Sequence, residues 1–191
     1  PLHGFEVARS VLEGGQAVTF ASGMAAVDAV FGTVLRPRDT VVLAADCYYT
    51  IRRMAAAWLE PLGIEVRLVP LRGSAQTSAL AGARLVWVET PTNPQLDICD
   101  IAGIVEAARS RGVITAVDNT TATPYLQQPL ALGADFAVAS DAKAMTGHSD
   151  LILGHVATTD AVKAASLREW RTQHGAIPGP MEVWLAHRSL P

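Results

Sequence analysis

The sequence predicts an α/β fold in one domain, with a mostly parallel sheet flanked by helices. Short apolar, β-branched runs alternate with segments of helical periodicity, which is typical of βαβ units and a largely parallel sheet. Half of the 191 residues are hydrophobic and only 17% are charged, as expected for a well-buried α/β interior. This length is enough to bury a sizeable core in one domain, or at most two domains.

Seven apolar runs are predicted as strands because they are short and rich in Val, Ile, Leu, Ala and Phe. In chain order they cover residues 17–20, 40–44, 65–69, 84–89, 112–118, 134–139 and 151–156.

Helices are predicted between these strands from apolar residues at helical spacing. The predicted helices cover residues 5–12, 22–35, 50–59, 100–109, 159–173 and 181–189. Gly14-Gly15 is expected to end the first helix, and Asp100 and either Thr159 or Asp160 are the expected N-caps of later ones.

Composition argues against several classes of partner. The net charge is −3 and the arginines are scattered, so neither nucleic acid nor an anionic membrane surface is expected to bind. Charges, Gly or Pro interrupt every apolar run before it reaches membrane-spanning length.

The first residues lack a signal peptide, and Cys47 and Cys99 form no CxxC, so a reducing cytoplasm is the expected location. Because the chain does not begin with Met, we expect it to be processed, cut or incompletely represented.

Ligands of open α/β sheets bind beyond the carboxyl ends of the strands, so strand ends are the places to search. Ser22-Gly23-Met24 follows the first strand and opens a helix, whose free N–H groups suit a phosphate; ordinary capping by Ser22 is the alternative. Tyr48 follows the second strand and is expected either to stack on a flat ring or to pack at the rim of the core.

Two further strand ends carry polar side chains. Asn93 lies between Pro91 and Pro94, which either aim its side chain or simply make a rigid connector. Asp118 ends a strand, where a buried carboxylate is costly unless a cation such as a protonated pyridine nitrogen faces it. An Asx turn or a helix cap is the alternative for Asp118.

The sequence contains two lysines, Lys143 and Lys163, and its other basic residues are arginines. Lys143 follows a strand of buried character and lies among small residues, so we expect it to be buried. A buried amine loses its proton more readily and becomes a nucleophile that can form a Schiff base. Lys163 lies within an amphipathic helix and is expected to be solvated.

Taken together, these segments resemble the Cys/Met-metabolism family of pyridoxal 5'-phosphate (PLP) enzymes, which includes cystathionine γ-lyase, cystathionine γ-synthase, methionine γ-lyase and homoserine-ester sulfhydrylases. The matching residues occur in family order across nearly the whole chain, at positions 21–26, 89–94, 118–120, 122–126, 129–130, 132–135, 140, 143 and 147–150.

The resemblance implies a fold-type I, PLP transferase-like fold, with residues 1–191 forming the PLP-binding large domain. We expect the family's N-terminal arm and C-terminal domain to be absent from this chain. The implied activity is that of a PLP-dependent carbon–sulfur lyase in transsulfuration, the γ-elimination of cystathionine to cysteine, 2-oxobutanoate and ammonia. Cystathionine γ-synthase, methionine γ-lyase and homoserine-ester sulfhydrylase are the alternatives. The resemblance also implies an amino-acid substrate and a cytoplasmic homotetramer built as a dimer of dimers.

The resemblance assigns catalysis to Lys143 and Tyr48. Lys143 would hold PLP as a Schiff base and then move protons on the substrate, while Tyr48 would stack on the ring and help as an acid or base. Asp118 would pair with the pyridinium nitrogen, supported by Thr120, and Glu89 would position other residues.

The remaining cofactor-binding residues follow from the same resemblance. The amides of Gly23 and Met24, at the turn that begins with Ser22, would bind phosphate together with the hydroxyl of Ser140. Asn93 would approach the phenolic oxygen of the ring or the substrate carboxylate.

Two substitutions depart from the family pattern. Ala142 stands where the family usually has Thr, which removes a hydrogen bond to phosphate of roughly 1.5–3 kcal/mol. Ala144 replaces an aromatic residue that often follows the lysine. A catalytically silent fragment that binds the cofactor weakly, or serves as a structural subunit, is therefore a second hypothesis. A nucleotide-binding module is a third, but the chain has no GxGxxG or Walker motif.

Overall fold

The computed structural model describes residues 1–71 and 74–190. Within these residues, seven strands form one sheet in the order β1-β7-β6-β5-β4-β2-β3. The strands are β1 (Gln16–Phe20), β2 (Thr40–Ala44), β3 (Glu65–Val69), β4 (Leu85–Glu89), β5 (Ile114–Asp118), β6 (Phe136–Ala139) and β7 (Gly154–Thr158).

The sheet is mostly parallel, as predicted. Strands β3, β2, β4, β5 and β6 pair in parallel, whereas β7 runs antiparallel to both of its neighbours, β6 and β1. The carboxyl ends of β1, β2, β4, β5 and β6 therefore meet at one edge, where the amino end of β7 also lies. Glu89 and Asp118, the last residues of β4 and β5, are paired in register at this edge.

Eight α-helices pack around the sheet in the described part of the chain. They are α1 (Leu2–Glu13), α2 (Gly23–Val34), α3 (Tyr49–Met54), α4 (Ala75–Ser78), α5 (Ile101–Arg109), α6 (Thr123–Leu126), α7 (Ala161–Gln173) and α8 (Pro180–His187). Asp100 and Asp160 cap α5 and α7 through their side chains, which confirms the predicted N-caps. The single-turn helices α4 and α6 were not predicted, because four residues are too few to show a helical period.

Two predicted elements differ from the structure. The helix predicted over residues 50–59 is α3 followed by a π-helical turn, Ala55–Leu59, and a 3₁₀ turn, Glu60–Leu62. The strand predicted from residue 151 joins the sheet only at Gly154. Leu151 and Leu153 are buried instead in a separate cluster with Phe5 of α1, so their apolar character reflects helix packing.

The main core lies on both faces of the central strands. Every residue of β2, β4 and β7 is buried, which requires cover on both sides of the sheet. Trp87 of β4 packs edge to face with Phe31 of α2, with ring centroids 5.2 Å apart. Within the described residues, each helix lacks the length or the apolar surface needed to span a membrane.

The start of β7 packs so closely against the start of α2 that residue 154 must be glycine. A Cβ added to Gly154 would lie 2.6 Å from the backbone of Gly23 and from the carbonyl oxygen of Ser22. We therefore expect Gly154→Ala to lower the free energy of unfolding by about 1–3 kcal/mol, because backbone held by two elements cannot move aside.

Urea denaturation measures this change, with Gly4→Ala as the control. A Cβ added to Gly4, in helix α1, would meet its nearest neighbour, His187, at an ordinary 3.5 Å, and Ala favours a helix over Gly. A Gly154→Ala protein as stable as the unsubstituted one would contradict the expectation.

Candidate active site

A cavity of about 290 Å³ lies at the edge of the sheet where the carboxyl ends of the strands meet. The residues predicted to bind or act on a cofactor all line it: Ser22, Gly23, Met24, Tyr48, Asn93, Asp118, Thr120, Ser140 and Lys143. Glu89 lines it too, with residues that were not predicted: Val27, Ile51, Thr121, Val138, Ala139 and Ile152. Most of these additions are apolar strand or helix residues, which carry no chemical signal in the sequence.

The amino end of α2 and the end of β6 form one side of the cavity. The Ser22 side chain caps α2 by accepting a hydrogen bond from the N–H of Ala25 at 3.0 Å, so the capping interpretation is correct. By helical geometry, the N–H groups of Gly23 and Met24 have no partner inside the helix. A Cβ added to Gly23 would lie 2.9 Å from Ser140 Cβ and 3.2 Å from Ser140 Oγ, so glycine lets this hydroxyl approach the free N–H groups. Such a cluster of donors suits an anion.

Asp118 is half-buried at the end of β5 and forms an Asx turn, since its Oδ1 accepts a hydrogen bond from the N–H of Thr120 at 3.0 Å. The Oγ1 of Thr120 in turn accepts a hydrogen bond from the N–H of Ser140 at 2.9 Å. Thr120 therefore connects the carboxylate of β5 to the turn that follows β6. Burial raises the pKa of Asp118, while hydrogen bonds from Thr120 and the charge of Lys143 act against that increase.

Glu89, at the end of β4, is 4% exposed and holds two loops in place. One carboxylate oxygen accepts a hydrogen bond from the N–H of Tyr48 at 2.5 Å, and the other accepts one from the N–H of Asn93 at 3.2 Å. Burial, together with the nearby charge of Asp118, raises the pKa of Glu89 to about 7. Residue type alone did not show that Glu89 anchors both segments.

Lys143 lies beside the aromatic ring of Tyr48. Its Nζ lies 5.1 Å from the centroid of the Tyr48 ring, which packs edge to face with Tyr49. The expectation that Lys143 is buried is wrong, because its side chain is exposed at the mouth of the cavity. The small residues around Lys143 reflect a tight turn and not a dry interior.

The other lysine lies elsewhere. The Nζ of Lys163 is 2.6 Å from Asp135 Oδ1, near the amino end of β6 and therefore at the opposite edge of the sheet. The expectation that Lys163 is simply solvated is wrong, because about 28% of its side chain is exposed and it is ion-paired. Ala142, which replaces the family threonine, is not among the residues that line the cavity.

The groups around the cavity match the chemistry of PLP. Free N–H groups and a hydroxyl suit the phosphate, and the Tyr48 ring offers a surface for a flat heterocycle. The Asp118 carboxylate suits a protonated ring nitrogen. The Lys143 amine suits the aldehyde. The residues therefore fit this cofactor.

Comparison with known proteins gives consistent relatives. The family profile described as "Cys/Met metabolism PLP-dependent enzyme" matches residues 4–191. The chain is 54% identical over 177 residues to a putative cystathionine γ-lyase of Streptomyces coelicolor, covering 93% of this chain and 45% of that protein. It is 40% identical over 190 residues to cystathionine γ-synthase of Mycobacterium tuberculosis, covering 95% of this chain and 47% of the relative.

Solved structures give the same result. The crystal structure of cystathionine γ-synthase from Xanthomonas oryzae in complex with cystathionine superposes with a TM-score of 0.94 at 36% identity. The match covers 97% of this chain and 49% of that one. The chain thus spans about half the length of the relatives that it matches.

The raised pKa of Glu89 predicts how stability changes with pH. Between the ordinary value of 4.5 and about 7, the folded chain keeps a proton on Glu89 that the unfolded chain has released. The free energy of unfolding should therefore fall as the pH rises through this window, by about 3 kcal/mol from this group.

Glu89→Gln removes the titrating group, so its free energy of unfolding should fall less steeply between pH 5 and pH 7.5. Urea denaturation at several pH values measures both slopes, and Glu106→Gln on the exposed face of α5 is the control. Equal slopes for the unsubstituted protein and Glu89→Gln would refute the assignment.

Proposed function

The chain belongs to the Cys/Met-metabolism family of PLP-dependent enzymes, and we propose that it is the PLP-binding large domain of a cystathionine γ-lyase. Its fold is the fold-type I architecture of that family, and the cofactor of the family is PLP. The observation that carries the proposal is the single cavity in which Lys143, Asp118 and Tyr48 meet the amino end of α2. We assign residues 1–191 to this domain.

The amino end of α2 is proposed to hold the cofactor phosphate. The N–H groups of Gly23 and Met24, presented by the turn at Ser22, and the hydroxyl of Ser140 are the donors. Asn93, whose backbone N–H donates a hydrogen bond to Glu89, would meet the ring oxygen or the substrate carboxylate. When bound, PLP supplies an electron-withdrawing ring that stabilises negative charge on the substrate carbon.

Asp118 keeps a proton on the ring nitrogen. Burial destabilises the charge on its carboxylate, and a facing cation restores that charge, so the carboxylate and a protonated nitrogen stabilise each other. Thr120 fixes the carboxylate through its N–H and the neighbouring turn through its hydroxyl. This arrangement keeps the carboxylate of β5 and the Ser140 donor in a constant relation to each other.

The amine of Lys143 would hold the cofactor, and the free amine would move protons on the substrate. Lys143 would take a proton from Cα of the substrate, release it, and then take one from Cβ, which allows the bond from Cγ to sulfur to break. Tyr48, whose ring centroid lies 5.1 Å from this amine, would stack on the cofactor ring and serve as a further acid or base. Because Lys143 is exposed at the cavity mouth, an amino acid can reach it from solvent.

The proposed reaction consumes cystathionine and one water and yields cysteine, 2-oxobutanoate and ammonia. The leaving sulfur takes up a proton as the Cγ–S bond breaks. The 54% identity to a putative cystathionine γ-lyase supports this choice.

Cystathionine γ-synthase is the second candidate, supported by the relative from Mycobacterium tuberculosis and the structure from Xanthomonas oryzae. In that reaction the sulfur of cysteine replaces the acyloxy group of a homoserine ester at Cγ. Likeness to the family further supports a cytoplasmic homotetramer, arranged as a dimer of dimers.

Product analysis decides between these reactions. The purified protein is incubated with PLP and, separately, with cystathionine, with methionine, and with a homoserine ester plus cysteine. Formation of 2-oxobutanoate and cysteine from cystathionine supports the lyase, whereas cystathionine formed from the ester supports the synthase. A thiol released from methionine would favour a methionine γ-lyase instead. No colour and no turnover at saturating PLP would support the catalytically silent alternative.

Lys143 is expected to carry the cofactor. Lys143→Ala should lose the yellow colour that PLP gives with the unsubstituted protein, and its turnover should fall at least about a thousandfold. Lys163→Ala, at the opposite edge of the sheet, should keep both. Borohydride reduction followed by peptide mapping locates the label, and a label on Lys163 would overturn the assignment.

A further inference from the structure

Four charged side chains form a buried cluster beneath the loop that carries Lys143. Arg9 and Glu13 come from α1, His155 from β7, and Asp141 from the loop itself. Each is between 0% and 2% exposed. None of the four lines the candidate active site.

His155 is the centre of this cluster. Its Nδ1 lies 3.0 Å from both carboxylate oxygens of Asp141, and its Nε2 lies 3.0 Å from Glu13 Oε1. A neutral imidazole has one N–H, so a ring with an acceptor at each nitrogen is satisfied only when both nitrogens carry hydrogen. Burial by itself lowers the pKa of His155, but the two carboxylates outweigh it and raise the pKa to about 10.

Arg9 completes the balance of charge. Its Nε lies 3.4 Å from Asp141 Oδ1, and its guanidinium carbon lies 4.7 Å from the centroid of the Phe5 ring. The cluster therefore contains two cations and two anions in a dry interior. In such surroundings the removal of one charge leaves another unpaired, which is strongly unfavourable.

The cluster holds the loop through a residue close to the amine. Asp141 is two positions before Lys143, and its backbone carbonyl accepts a hydrogen bond from Thr146 Oγ1 at 2.7 Å. The backbone hydrogen bond from Ala142 to Leu153 is long, at 3.4 Å, and Lys143 itself is exposed. The side chain of Asp141, at 0% exposure, therefore anchors this loop, together with the hydrogen bond that Ser189 Oγ donates to the carbonyl of Thr146 at 2.8 Å.

We propose that His155 is a positioning residue. As an imidazolium between Asp141 and Glu13, it fixes to β7 and α1 the loop in which Lys143 lies. The effect on the cofactor rests on the proposed role of Lys143. PLP affinity should therefore depend on a histidine that does not touch PLP.

The experiment compares the unsubstituted protein with His155→Gln, which keeps a similar volume but removes the charge and one donor. PLP affinity is measured from the visible absorbance of the bound cofactor, and hydrogen exchange is measured by mass spectrometry without PLP. We expect PLP to bind about tenfold more weakly, since a hydrogen bond to a charged group is lost. We also expect exchange to accelerate in residues 140–149 while β2 and β4 keep their protection. Lys163→Gln, which breaks the ion pair at the other edge, should change neither quantity.

A rescue variant separates positioning from a general loss of stability. Replacing Glu13 by Gln in the His155→Gln protein removes the unpaired carboxylate. The double variant should bind PLP at least about threefold more tightly than His155→Gln alone. If His155→Gln fails to fold, Asp141→Asn, which weakens the same contact but leaves His155 paired with Glu13, replaces it with the same expected direction.

Two results would overturn the proposal: unchanged affinity and loop exchange, or faster exchange spread equally over β2, β4 and the loop with no rescue. If the unsubstituted protein does not bind PLP at Lys143, the proposed function fails. The exchange measurements then still decide whether His155 holds the loop.

Discussion

The site depends on two carboxyl groups, one buried and one half-buried, that lie side by side at the ends of neighbouring parallel strands. Glu89 and Asp118 are paired in register, so neither can move without disturbing the sheet. Burial disfavours two negative charges at this point, and the fold meets that constraint with backbone N–H donors from Tyr48, Asn93 and Thr120. Each donor belongs to a loop that borders the cavity. The two acids thus position the loops around them. Any cation bound beside them would further offset their negative charge.

A second constraint is the close approach of backbone on the other side of the cavity. Gly154 lets β7 reach the start of α2, and Gly23 lets α2 reach Ser140. These glycines allow backbone segments to approach closely because they have no side chain, whereas Glu89 and Asp118 hold their neighbours through hydrogen bonds. Together they explain why one cavity is bordered by rigid strand ends on one side and by a helix start on the other.

Much of this architecture could be predicted from the sequence, because β2 and β3 are continuous apolar or alternating runs with clear ends. The polar residues that line the cavity could be predicted because they follow strands whose carboxyl ends share an edge, and because they match a family pattern in order. The direction of β7 could not be predicted, since antiparallel pairing leaves no mark in a short buried run. Lys143 was expected to be buried because small neighbours indicate tight packing, but they equally form an exposed turn. The contact of His155 with Glu13 joins residues 142 positions apart, which no local pattern reveals.

The reversed direction of β7 determines how the segment with Lys143 is attached. Because β6 ends and β7 begins at the same edge, the chain between Ala139 and Gly154 leaves the sheet and returns beside its own starting point. Parallel neighbours would instead need a crossover to the far edge. The segment is thus a loop whose two ends belong to adjacent strands. Residues inserted near its middle would change the distance of the Lys143 amine from the sheet while leaving the strand order unchanged.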